Sequence, residues 1–99
     1  MLCIMGTIRL PADRMAAARA PMAAMIAATR DEAGCLEYAF AEDVLDPGLI
    51  RVSERWTDQQ ALDAHAASAH MRAWRAALRE IGVLDRDLTL YDIGHPRPL

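Results

Sequence analysis

Lysine and asparagine are absent from this chain, and serine is nearly so, with only Ser53 and Ser68. Without a lysine amine there is no Schiff base to a carbonyl substrate and no pyridoxal phosphate linkage. Neither serine stands in a nucleophile elbow or a Ser-His-Asp arrangement, and no glycine-rich loop offers to cradle a phosphate. A nucleotide or flavin site is therefore not expected. Two cysteines, Cys3 and Cys35, are too few for a disulfide scaffold and lack metal-ligand spacing; both read as buried thiols in strands. No apolar run approaches the about 18 residues that a membrane span needs. The apolar start, Met1 to Gly6, has no basic lead-in and meets Arg9 and Pro11 too soon for a cleavable signal, so a cytoplasmic protein is expected. Excess positive charge is missing too. A net charge of −3 and a pI near 5.5 give no electrostatic footprint for nucleic acid or an anionic membrane. All 11 basic residues are arginine, beside 20 alanines, which reads as GC-rich coding bias rather than 11 functional guanidinium groups.

What is present is enough for one soluble domain over residues 1–99, with a short tail at 94–99: 99 residues, 54% hydrophobic and 25% charged. Leu2 to Leu10 alternates, with Leu2, Ile4, Gly6, Ile8 and Leu10 on one face of a strand. Pro11 ends it, and Asp13 is placed to cap a helix over 14–32. That helix carries Met15, Ala18, Met22, Met25, Ile26 and Thr29 along one side, with Pro21 expected to kink it and Gly34 to stop it. Cys35 to Glu42 alternates again, setting Leu36, Tyr38 and Phe40 on one face. Asp46-Pro47-Gly48 turns the chain into a third strand, Leu49 to Trp56. Thr57 with Gln60 three residues on reads as a capping box for a second helix, which pauses near Ala66-Ala67-Ser68. It resumes with Met71, Trp74, Leu78 and Ile81 buried, ends at Gly82, and gives way to a last strand at Leu88–Ile93. Right-handed crossovers turn this order into an α+β, ferredoxin-like βαββαβ sandwich with both helical segments on one face of an antiparallel sheet. The other face is expected to expose an apolar patch, and so to pair two chains face to face as a homodimer.

Chemistry concentrates between Ser53 and Met71. Glu54 shares a strand face with Ile50, Val52 and Trp56, where an unpaired carboxylate is costly. Its nearest partners in sequence are His65 and His70. These lie five apart across a helix break, not at the spacing that stacks two imidazoles for a metal, and no third ligand stands nearby. No metal is expected. One reading makes a histidine a carboxylate-tuned general base in an apolar pocket; the other makes His and Glu a structural hydrogen bond at the end of the sheet. Tyr38, Phe40, Trp56, Met71 and Trp74 are the candidate pocket walls, and the plain alternative for Trp74 is the largest knob of its helix.

The segments Thr29-Arg30-Asp31-Glu32-Ala33-Gly34-Cys35-Leu36-Glu37-Tyr38, Asp46-Pro47, Glu54-x-Trp56, Ala61-Leu62-x-x-His65 and Ser68-x-His70-Met71 are, in that order and spacing, similar to the antibiotic biosynthesis monooxygenase family, in particular its small quinol monooxygenase-like members. The resemblance implies a dimeric α+β barrel of ferredoxin-like protomers, each with a cavity between sheet and helices. It further implies oxidation of electron-rich quinols or anthrones by O2 without metal or organic cofactor. His65 or His70 would be the catalytic base and Glu54 its orienting partner, with Tyr38, Phe40, Trp56, Met71 and Trp74 against the substrate. Haem-degrading relatives need an Asn, a Trp and a ligand His where this chain has Ile8, His65 and Arg75, so haem is not expected. The pocket set of polyketide-tailoring members, which includes an Asn, does not carry over in full; Trp56, Trp74 and Arg72 or Arg75 are the candidate stand-ins. Two other readings stay open: a small-molecule binding or stress-response module without turnover, and an isomerase acting through enolisation.

Overall fold

The computed structural model describes all residues from Met1 to Leu99. Strand β1 (Leu2–Arg9) leads through a 3-10 turn (Ala12–Arg14) into helix α1 (Met15–Arg30). Strands β2 (Cys35–Glu42) and β3 (Leu49–Trp56) follow, then helices α2 (Gln59–Ala66) and α3 (Ala69–Ile81), and strand β4 (Asp85–Asp92). The four strands form one antiparallel sheet in the order β2-β3-β1-β4, the ferredoxin-like arrangement expected from the sequence. Alternation fixes which residues meet the helices. Leu2, Ile8, Ile50, Val52 and Trp56 share the covered face, and each is buried. Met15, Ala18, Met22, Met25 and Thr29 of α1 and Trp74 and Ile81 of α3 close over them. Burying side chains of this size stabilises the fold by about 1.5–3 kcal/mol each.

Several boundaries differ from the sequence reading for identifiable reasons. Asp13 lies in the 3-10 turn, and the start of α1 has no side-chain cap. The helix continues through Pro21, which forgoes a bond to the Ala17 carbonyl. Asp58, not Thr57, caps α2, accepting the Ala61 N–H at 2.8 Å. A bulge between Cys35 and Glu37 changes the parity of β2: Cys35 falls in phase with Tyr38 and Phe40, and Leu36 is left unpaired and exposed. Strand β4 begins at Asp85 rather than Leu88, because an exposed edge strand tolerates Asp85, Arg86 and Asp87. Both thiols are half-buried rather than buried.

The uncovered face is also more polar than expected. Met5 and Tyr91 are its half-exposed large apolar side chains, set among Thr7, Ala39, Ala41, Ser53 and Thr89, and Arg55 is ion-paired with Glu37 at 3.2 Å. No helix is long and apolar enough to cross a membrane.

Candidate active site

The break between α2 and α3 sets the first functional side chain. Ser68 caps α3 through the Met71 N–H, and its hydroxyl donates to the His65 carbonyl at 2.7 Å, so the last turn of α2 is held fast. His65 is thereby driven inward and is 4% exposed. Its ring packs 4.7 Å from the Trp56 indole and 5.2 Å from the Tyr38 ring. Nδ1 meets Glu32 Oε2 at 2.6 Å. Glu32 belongs to the turn between α1 and β2, and Gly34 is what lets that turn come so close. At φ +83° its absent Cβ would sit 2.6 Å from Ala61 Cβ and 2.7 Å from Thr57 Oγ1. Burial pushes the His65 pKa below its ordinary value of 6.5, against the opposing pull of Glu32. At neutral pH the ring is therefore uncharged, with the proton on Nδ1 facing Glu32 and the lone pair on Nε2.

His65 forms part of the lining of an apolar cavity of about 300 Å³ between the sheet and helices α2 and α3. Ile4, Ile8, Tyr38, Phe40 and Glu54 supply its sheet side, and Leu62, Met71, Trp74 and Leu78 its helical side. Phe40 lies 5.3 Å from Tyr38 in a stacked arrangement and 6.4 Å from Trp74 edge-on, so three aromatic rings run from the sheet side to the helical side. Arg75 and Arg86 also reach the cavity. Glu54 is buried, and Oε1 accepts the Trp56 indole N–H at 3.0 Å. Burial raises its pKa above the usual carboxylate value, partly offset by that hydrogen bond and by Arg86. The Tyr38 phenol is raised far beyond the range in which it ionises, by burial first and then by the charges of Glu54 and Glu32.

Of the residues singled out from sequence, His65, Glu54, Tyr38, Phe40, Met71 and Trp74 line this one cavity; Trp56 and His70 do not. Trp56 is wholly buried and acts from beneath, with its face against His65 and its N–H on Glu54. His70 lies on the outer side of Glu32, Nε2 to Oε2 3.2 Å. The expected pairing of Glu54 with a histidine is corrected here. Glu54 is held by the indole two residues further along its own strand face, and the carboxylate that meets both histidines is Glu32. Sequence reasoning missed Glu32 because its contact with His65 spans 33 positions. The absence of a third metal-ligand group near His65 and His70 is corrected as well: donor atoms of Glu32, His65 and His70 all lie within 4.8 Å of one another.

Comparison with known proteins agrees with this architecture. A family model described as "Antibiotic biosynthesis monooxygenase" matches residues 1–77. Rv0793 of Mycobacterium tuberculosis, named as a candidate monooxygenase, is 39% identical over 69 residues, which span 70% of this chain and 67% of that protein. The solved structure of Rv0793 superposes with a TM-score of 0.84 at 28% identity, covering 98% of each chain. A Deinococcus radiodurans structure assigned to the antibiotic biosynthesis monooxygenases reaches a TM-score of 0.90 at 30% identity, over 100% of this chain and 98% of that one.

Proposed function

The chain belongs to the antibiotic biosynthesis monooxygenase family, and from that premise we propose that it is a monooxygenase that oxidises a quinol- or anthrone-like aromatic with O2, with His65 as the base. The observation that carries this reading is the orientation of His65: Glu32 occupies Nδ1 and leaves the basic Nε2 for an aromatic-lined cavity. A cavity of this size and lining suits a planar aromatic held away from water.

In the proposed reaction, Nε2 removes a phenolic or benzylic proton, and Glu32 stabilises the imidazolium that forms. The substrate anion passes an electron to O2, and the two radicals join in a C–O bond, giving a peroxide anion that takes the proton back from His65 to become a hydroperoxide. Loss of water from the hydroperoxide leaves a carbonyl. One oxygen atom stays in the product, and the other departs as water, made of the distal hydroxyl and the hydrogen remaining on the oxidised carbon. Glu54, kept apart from His65 by the indole they share, is positioned to accept a second substrate hydroxyl. His70 supports Glu32 from outside. We place the whole activity in one domain, residues 1–99, which pairs with a second copy through the uncovered sheet face around Met5 and Tyr91.

Oxygen uptake by metal-free protein with a panel of quinols and anthrones, no cofactor added, tests this reading. Uptake is expected to depend on the protein and to fall about 10²–10⁴-fold in His65→Ala. A folded His65→Ala variant that keeps wild-type uptake would remove the base. No uptake on any member of the panel would overturn the oxygenase reading and leave enolisation or binding without turnover for the same cavity.

A further inference from the structure

Glu32, His65 and His70 come from three different segments, the α1–β2 turn, the end of α2 and the first turn of α3, yet both imidazoles point a ring nitrogen at the same carboxylate oxygen. A hydrogen bond to one histidine suffices to orient a base, so the second imidazole is more than the proposed reaction requires. Two neutral imidazoles and one carboxylate are the donor set of a borderline transition-metal ion such as Zn²⁺, not of Mg²⁺ or Ca²⁺, which favour oxygen ligands throughout. A tetrahedral Zn²⁺ holds nitrogen and oxygen donors about 2.0–2.2 Å from itself and hence roughly 3.3 Å from one another. The His70–Glu32 separation of 3.2 Å already matches. The His65–Glu32 pair at 2.6 Å must open by about 0.7 Å, and His70, the most exposed of the three, can close on His65.

We propose that Glu32, His65 and His70 form a Zn²⁺ site whose occupation switches off the base on the cavity side of His65. In the metal-free protein the neutral His65 ring carries its one proton on Nδ1 and is basic at Nε2. Zn²⁺ takes the Nδ1 lone pair, so the ring's proton moves to Nε2. The cavity then faces an N–H donor instead of a base. Glu32 and the His70 ring supply the other two ligands, and water completes the coordination. Metal binding stands on the three donor groups alone; the loss of base function rests on the role of His65 proposed above.

Calorimetric titration of the metal-free chain with Zn²⁺ and with Mg²⁺ tests the site, run beside Glu32→Gln and His70→Ala. One Zn²⁺ per chain is expected, about tenfold or more weaker in both variants, with no response to Mg²⁺. Nitrogen NMR of His65 reads the switch without reference to turnover: Nε2 is expected to change from a bare to a protonated nitrogen when Zn²⁺ is added. His70→Ala alters a partly exposed side chain, so it separates loss of a ligand from loss of the fold. Absent binding, or binding that neither variant weakens, overturns the site. Stoichiometric binding that leaves Nε2 unprotonated overturns the switch and leaves the metal site standing. Oxygen uptake that persists with Zn²⁺ bound overturns the link to catalysis.

Discussion

Along β3, Ile50, Val52, Glu54 and Trp56 point beneath the helices, while Leu49, Arg51, Ser53 and Arg55 point the opposite way from the same backbone. The covered set is buried to a few per cent, and its one carboxylate is kept at a raised pKa by burial. On the other side Glu37 is lowered, mainly by the Ser53 hydroxyl and then by Arg55, because water and partners are both at hand. One sheet thus places two glutamates in opposite electrostatic regimes. Burial makes a side chain chemically unusual, and alternation along a strand decides which residues are buried.

The largest way to break the contrast is Trp56→Ala. It empties the centre of the covered face, leaves Glu54 without its donor and His65 without its backing, and is expected to cost about 3–5 kcal/mol in urea unfolding. An equally large change on the opposite face should do something different. Met5→Arg is expected to weaken self-association about tenfold or more by sedimentation equilibrium while leaving the His65 NMR signals in place. A monomeric wild type would remove the proposed pairing. Glu54→Gln keeps an acceptor for the indole but discards a buried charge, so it is expected to stabilise the fold by about 1 kcal/mol at pH 7.5. The gain should vanish near pH 4: a carboxyl raised above its unfolded value of 4.5 carries no penalty below 4.5, and the penalty builds as pH rises from there to the folded pKa. The smallest effect is the mirror case. His65 is depressed below 6.5, so the unfolded chain binds the extra proton first. Stability should hold above 6.5 and decline as pH falls from there through the folded value, a slope that a folded His65→Gln variant should lack.

The fold was legible because its signals are local. Period two in Leu2–Arg9 and Leu49–Trp56, helical spacing from Met15 to Thr29, and the pause at Ser68 each lie within one element. Leu36 was misplaced because a bulge is a single-residue slip that composition does not mark. The site was half legible. His65, Glu54 and the aromatic wall follow from an acid and a histidine set among apolar residues. Glu32 does not, since nothing in Asp31-Glu32-Ala33 says that a turn opened by Gly34 will bring it against a helix so far along the chain.

The two indoles differ as sharply as the two faces. Trp56 is sealed from solvent with His65 against it at 4.7 Å, whereas Trp74 sits on the cavity wall beside Phe40. Because the chain holds only these two tryptophans, its fluorescence is a two-channel signal. Charging of the imidazole is expected to quench the buried emitter, and an aromatic guest of the proposed kind to quench the other. With Trp74→Phe or Trp56→Phe silencing one channel at a time, protonation and occupancy can be followed separately by light.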